Sequence, residues 1–351
     1  MTGAENQPIN PPARVLIIKP SSLGDVVTAM PVLRGLRRTF PECSVSWLLS
    51  KHYVPLLAHD SDLHEIILFD RPLLGRCWRS PRAAAELLRL TRTLKRARFD
   101  LVIDLQGLFR SAYFAGKTRA PVRAGFADAR ELAWIFYTRR CDVSAGHTVD
   151  RNVELARQLG IDCRREDMTL EVSADGERFA EEFLRRHGLE RGGFLICVPP
   201  TRWPTKLYPI RHWRAAVGQI SRRCPVVLLG SAGDRELCGQ VAEGFQNSVL
   251  NAAGQTGIAE MVAMIAASSG VVCSDSAPKF VAPAVGVEAV VLVGPTRVDL
   301  TGPILRGRAL VADVPCRGCL KRRCSHVTCM QLIDPREVAA AAEAMLAGTG
   351  A

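Results

Sequence analysis

Short apolar runs alternate with helix-length amphipathic segments, in two successive series, and this rhythm restricts the fold more than any other feature of the chain. In the first half, Arg14–Lys19, Ser44–Leu49, Glu65–Phe69 and Asp100–Leu105 read as strands, with helices expected over Asp25–Thr39 and Ala83–Ala97. A second series starts at Gly193. Its strands are Phe194–Val198, Val226–Leu229, Gly270–Cys273 and Ala289–Val293, and its helices His212–Ser221, Asp234–Phe245, Ile258–Ala267 and Pro278–Val285. Continuous apolar strands joined by helical crossovers are the mark of a parallel sheet covered on both faces. The expectation is an α/β chain of two doubly wound, Rossmann-like domains facing each other across a cleft. The boundaries read as an N-terminal domain over 1–172, a polar, charged linker over 173–192 and a C-terminal domain over 193–334. A closing helix over 335–351, with Pro335–Ala347 rich in Ala, Glu and Met, is expected to pack back.

Charge narrows the partners. Lys and Arg number 46 against 35 Asp and Glu, a formal net charge of +11. Between Arg71 and Arg140 alone there are 16 basic and 5 acidic residues, an excess equal to that of the whole chain. A basic face attracts phosphates, on nucleic acid, anionic lipid or an acidic glycan. The longest weakly polar stretch, Val281 to Pro295, is interrupted by Pro283 and Glu288 and is shorter than the roughly 20 residues of a spanning helix. The residues ahead of the first strand lack a basic n-region and an apolar h-region, and are expected to form a disordered lead-in with no secretory signal. Cys43, Cys197 and Cys273 sit in or beside apolar runs, as reduced thiols do in a reducing compartment. The expectation is a soluble cytoplasmic protein.

Open α/β sheets bind ligands where strands end and helices begin, so the loops carry the chemistry. The first strand runs into Ser21-Ser22-Leu23-Gly24-Asp25. Gly24 allows close backbone approach, and Asp25 can take a proton from a substrate hydroxyl or simply cap the first helical turn. Gln106 and Gly107 occupy the turn after the fourth strand, as ligand contacts or as a plain turn. The proline-rich loop Pro199–Pro209 carries Thr201, Thr205 and Lys206, a stiff platform for an anionic diphosphate or an ordinary solvated loop. Asp275-Ser276-Ala277-Pro278 opens a helix whose free N–H groups suit a diphosphate, and in which Asp275 or Ser276 can equally serve as N-cap.

Taken in order, these segments resemble glycosyltransferase family 9, the bacterial lipopolysaccharide heptosyltransferases. The residues that carry the likeness are Ser21-Ser22-Leu23-Gly24-Asp25, Asp104-Leu105-Gln106-Gly107-Leu108-x-Arg110-Ser111-Ala112, Arg202-Trp203-Pro204-Thr205-Lys206, Ser274-Asp275-Ser276-x-Pro278 and Gly294-Pro295-Thr296. Ala124-Gly125-Phe126, Arg130-Glu131, Phe136-Tyr137 and His147–Asn152 are most similar to the type I enzyme of that family, which adds the first heptose to Kdo. The resemblance implies the two-domain GT-B fold. It also implies an inverting, metal-independent transfer of heptose or a related sugar from an ADP-heptose-like donor to the inner core of lipopolysaccharide, with no catalytic cofactor. By position, Asp25 matches the base, and Thr201, Thr205, Lys206, Asp275, Ser276, Ala277 and Lys279 fall on the donor side. Gly24, Gln106 and Arg130 fall on the acceptor side, where Arg123 is added on charge alone. The implied partners are a nucleotide sugar and an anionic Kdo-lipid A-like acceptor, reached by peripheral contact at the cytoplasmic face of the inner membrane, with no nucleic acid. The chain departs from the family pattern at Pro200 and Ala277, where glycine is usual, and at Phe280, where histidine is usual.

Cys316-x2-Cys319-x4-Cys324-x4-Cys329 places four thiols within 14 residues, a spacing compatible with a closed structural zinc site, with reduced thiols or with a disulfide pair. His326 is a spare ligand. With Arg317, Lys321, Arg322 and Arg323 around it, the cluster also raises the alternative of a nucleic-acid-binding protein. A nucleotide-sugar epimerase or hydrolase, or a catalytically degenerate relative, would share the same architecture.

Overall fold

Every strand pair among the described residues is parallel, and the strands form two sheets with one topology. The computed structural model describes residues 10–76 and 78–347 and divides into two units, Met1–Met168 and Thr169–Ala351. Most of the expected N-terminal lead-in lies outside the described residues. The first unit holds β1 (Arg14–Ile18), β2 (Ser44–Ser50), β3 (Glu65–Phe69), β4 (Leu101–Asp104), β5 (Val122–Phe126) and β6 (Arg139–Cys141), in the order β3-β2-β1-β4-β5-β6. The second holds β7 (Leu195–Val198), β8 (Val226–Leu228), β9 (Val249–Asn251), β10 (Gly270–Ser274), β11 (Glu288–Leu292) and β12 (Gly307–Leu310), in the order β12-β11-β10-β7-β8-β9. In each unit the winding reverses between two central strands, β1 and β4 or β7 and β10, which is where an open α/β sheet leaves its ligand crevice. Ile18 pairs opposite Asp104, and Val198 opposite Cys273, so the loops that follow these strands emerge side by side.

The eight strands read from apolar runs are present, and β5, β6, β9 and β12 join them. Those four read VRAGF, RRC, VLN and GRAL, too short or too charged to stand out. Three of them are edge strands, where arginines reach solvent without penalty.

Two expectations are corrected. The helix expected over Asp25–Thr39 is two helices, Leu23–Val27 and Met30–Thr39. Pro31 has no N–H to return to Val27, so the ladder breaks there. The Asn152 side-chain amide donates to the freed Thr28 carbonyl at 2.9 Å. The stretch read as a linker, 173–192, is mostly the helix Ala174–His187. Ser173 caps it by accepting from Gly176 N–H at 3.0 Å, and it packs on Ile258–Ala267 within the second unit. The helix Pro335–Ala347 packs on Ile210–Ile220 and on β10 and β11 of the same unit, burying Val338, Ala342 and Met345.

Each sheet is covered by its own helices. Trp47 and Leu48 are fully buried in the first unit, and Trp213 and Leu195 in the second. Burial of one such large side chain contributes about 1.5–3 kcal/mol.

Candidate functional site

In the first unit, the loops after β1 and β4 frame an open recess of about 440 Å3, lined among others by Lys19, Asp25, Gln106, Gly107, Arg130 and Asn152. Asp25 is the third residue of its short helix. Its Oδ2 accepts from the Ser22 N–H and from the Ser22 hydroxyl, each at 2.8 Å. The capping reading of Asp25 therefore holds for one oxygen, while Oδ1 makes no hydrogen bond among the described residues and the residue lines the recess. Behind it, Lys19 donates to the Leu105 carbonyl at 2.6 Å. Burial pushes its pKa down, against the pull of the Asp25 and Asp104 carboxylates.

Asp104 ends β4 fully buried and organises the turn. It accepts from the Tyr137 hydroxyl at 2.7 Å, the Ser111 hydroxyl at 2.8 Å and the N–H groups of Gln106 and Gly107 at 2.9 and 3.3 Å. Burial nevertheless raises its pKa, with those four donors opposing. Gly107 has φ +63°, which explains a glycine in this turn. At Gly125, an added Cβ would lie 2.3 Å from the Tyr137 ring, so only glycine lets that tyrosine reach Asp104. The Gln106 Oε1 is buried on the recess wall with no hydrogen-bond partner among the described residues.

In the second unit, the loops after β7 and β10 converge on Asp275, which is 4% exposed. Lys206 Nζ lies 2.8 Å from Oδ2. Lys279, one helical turn on, bonds Oδ1, and the Thr296 hydroxyl donates to Oδ2. Burial pushes the Asp275 pKa up, but Lys279 and Lys206 together hold it below the ordinary carboxylate value. For Lys206, burial prevails over Asp275 and lowers the pKa, aided by Lys279 and Arg202. The Lys206 ammonium also lies 4.5 Å from the centre of the Trp203 ring. Thr201 leans on the Asp275 carbonyl at 3.5 Å. The N–H groups of Ser276 and Ala277 make no hydrogen bond among the described residues, which leaves donors for an anion beside two ammonium groups.

Most expected site residues thus gather at one switch point or the other; four are not presented to a ligand there. Arg123 lies near the start of β5, away from the strand end, and its guanidinium is held by the Phe136 and Ala120 carbonyls at 2.8 and 2.6 Å. Gly24 is buried within the helix Leu23–Val27 and does not line the recess. The Thr205 hydroxyl is buried and donates to the Lys321 carbonyl at 2.9 Å, so it braces two loops. Lys279 is 5% exposed and bonded to Asp275, which makes it part of the wall. The sequence reading missed Lys19, Asp104, Tyr137 and Thr296. Lys19 carried a signal, as a lysine ending an otherwise apolar strand, and Asp104, Tyr137 and Thr296 each stood in a quoted motif.

The four clustered cysteines and His326 line one hollow of about 250 Å3. Cys324 Sγ accepts from the Val327 N–H at 3.4 Å, and backbone donors from Val327 and His326 lower its pKa. Burial raises that of Cys329, reinforced by the other three thiols. Among the described residues no three His, Cys, Asp or Glu side chains are gathered tightly enough to hold an ion. The loop that carries Cys316, Cys319, Cys324 and Cys329 also braces the Asp275 site. Gly318 and Leu320 N–H donate to the Gly294 and Pro295 carbonyls at 2.9 and 2.6 Å, and Arg322 stacks 4.6 Å from the Trp203 ring centre.

Comparison with known proteins places this geometry. The profile of glycosyltransferase family 9 (heptosyltransferase) matches residues 87–329. Lipopolysaccharide heptosyltransferase 1 of Pseudomonas aeruginosa is 31% identical, over 95% of this chain and 98% of its own. Among solved structures, a family 9 glycosyltransferase from Veillonella parvula has a TM-score of 0.80 at 22% identity, covering 96% of this chain and 97% of its own. The E. coli heptosyltransferase WaaC, solved with ADP, has a TM-score of 0.76 at 23% identity, covering 95% and 99%. The two-sheet architecture is that of the GT-B fold, as the resemblance implied. Among the described residues no helix is long and apolar enough to cross a membrane.

Proposed function

Since this chain belongs to glycosyltransferase family 9 and is a glycosyltransferase, we propose that it moves heptose, or a closely related sugar, from an ADP-linked donor to the Kdo of a lipopolysaccharide inner core. The observation that carries the donor half is the Asp275 cluster. Two lysines and two unbonded N–H groups converge at the end of β10, where charge develops on a departing nucleoside diphosphate. The names of the P. aeruginosa relative and of WaaC with ADP support the same reading.

Asp25 supplies the base. Its Oδ1 takes the proton of the acceptor hydroxyl, the resulting oxygen attacks the anomeric carbon from the face opposite the diphosphate, and the bond from that carbon to the diphosphate oxygen breaks. The configuration inverts. Lys206 and the Ser276 and Ala277 N–H groups receive the negative charge of the leaving ADP, so the step draws on no divalent ion. Ser22 fixes the carboxylate, and Lys19 sets a positive charge behind it.

The acceptor is anionic, and the exposed cations of the first unit suit it. Arg130 and Arg151 line the recess; Arg151 is already paired with Asp128 at 2.6 Å. Arg76, Arg79 and Arg82 are exposed and flank Trp78, 89% exposed, in the sequence, and Arg92 is exposed farther along the helix Pro81–Arg96. This face suits peripheral contact with anionic lipid, and hence work at the cytoplasmic face of the inner membrane. Nucleic acid binding is disfavoured as a reading, because it leaves the Asp25 recess and the Asp275 cluster without a role.

A thermal-shift panel of ADP, UDP, GDP, CMP and short RNA tests the donor half. ADP at about 100 times its Kd adds about 2.7 kcal/mol of stability. Stabilisation by RNA alone would overturn the proposal, and stabilisation by UDP or GDP but not ADP would replace the donor.

A further inference from the structure

The Asp275 cluster carries one carboxylate for two ammonium groups, and the two lysines are not equivalent. Lys279 sits on the helix Pro278–Ala284, one turn from Asp275, with its side chain 6% exposed. Lys206 sits on the loop after β7, its side chain 14% exposed, with its ammonium also against the Trp203 ring. One is fixed and buried; the other stands at the rim. Lys206 is paired with Asp275 Oδ2. A diphosphate that needs Lys206 must draw it away, and doing so would strand a buried carboxylate, at a cost of several kcal/mol if nothing else balanced it. Lys279 on Oδ1 and the Thr296 hydroxyl on Oδ2 provide that balance.

We infer that Lys279 is a positioning residue that keeps Asp275 compensated, so that Lys206 is free to turn from the carboxylate to the diphosphate of the donor. The inference rests on the donor reading above and adds to it a role for Lys279, at a position the family pattern leaves open. The usual histidine position is occupied by Phe280, whose ring centre lies 4.8 Å from the Lys279 ammonium. Lys279 acts through Asp275, not by touching the ligand.

Titration calorimetry with ADP on the full chain tests this, using wild type, Lys279→Met, Lys279→Arg, Lys206→Met and the double variant Asp275→Asn/Lys279→Met. Lys279→Met should weaken ADP about tenfold or more although Lys206 is intact, a loss of about 1.4 kcal/mol or more. Lys279→Arg should restore most of it. The deciding measurement is the double variant. With the carboxylate neutralised, Lys206 is no longer held and ADP affinity should return to within about threefold of wild type, about 0.7 kcal/mol. A residue that merely stabilised the fold, or that touched the diphosphate itself, would not be rescued by removing a second charge. A double variant no better than Lys279→Met, or a Lys279→Met protein that binds ADP as wild type does, overturns the inference while leaving the donor site in place. A wild-type protein that binds neither ADP nor pyrophosphate refutes the donor reading itself, and this inference with it.

Discussion

Asp25 divides one carboxylate between two tasks: Oδ2 fastens the Ser22 turn and Oδ1 is left for chemistry. Replacing it with asparagine keeps the shape and removes the proton acceptor. Turnover by Asp25→Asn should fall by about 100- to 10,000-fold while the ADP Kd stays at the wild-type value, as steady-state kinetics and calorimetry would read. Asp275 makes a prediction of opposite character. Burial raises its pKa, but Lys279 and Lys206 outweigh burial and leave it below its unfolded value. A lowered acid stabilises the fold at pH values above the unfolded pKa, and that contribution is lost as pH falls through the folded one. Asp275→Asn should therefore cost about 3 kcal/mol in denaturant unfolding at pH 7, and the gap to wild type should close below about pH 4. At this scale the sequence was partly legible. Asp25, Thr201, Lys206 and Asp275 stand in loops that any doubly wound sheet turns toward its crevice. Asp104, Tyr137 and Thr296 could not be found the same way, because their roles rest on partners 33 and 21 residues distant. Arg123 misled because charge alone says nothing about which end of a strand it occupies.

Among the elements, turns and close approaches explain why small residues stand where they do in the motifs. Gly125 in β5 makes room for the Tyr137 ring, and the tyrosine in turn holds Asp104 beneath the Gln106–Gly107 turn. A methyl group at position 125 must move a ring packed within a buried cluster, so Gly125→Ala should destabilise the first unit by about 1–3 kcal/mol in urea unfolding. Tyr137→Phe, which keeps the ring and removes only the hydroxyl, should cost about 1–3 kcal/mol by leaving Asp104 one donor short. Equal stability of both variants and wild type would show that the Asp104 turn does not depend on this contact. Element boundaries failed where local rules compete. The amphipathic pattern runs on from Asp25 to Thr39, yet Pro31 divides it, and the polar stretch 173–192 looks like a linker because its helix shows solvent a charged face.

For the molecule as a whole, one winding used twice places two sites of different chemistry at equivalent positions. The first unit has a carboxylate in a recess rimmed by arginines; the second has two lysines about a buried aspartate. The places of the two crevices were legible because periodicity points to the doubly wound class and the class fixes where ligands go, while the division of labour between them came from the family resemblance. The charge distribution was legible too, since the basic excess is confined to Arg71–Arg140. If it serves an anionic lipid surface, sedimentation with vesicles rich in phosphatidylglycerol should capture the protein at 50 mM salt and release it at about 0.5 M, where the Debye length falls below about 5 Å. Arg79→Glu/Arg82→Glu should weaken capture without changing ADP affinity. The central claim is acceptor-dependent transfer with Asp25 as base. It is tested most directly by following ADP release from ADP-heptose with and without a Kdo-lipid A acceptor, for wild type and Asp25→Asn. The account predicts release by wild type only when acceptor is present, together with a heptosylated product, and little release by the variant. Equal release without acceptor, or an Asp25→Asn variant as fast as wild type, would contradict it.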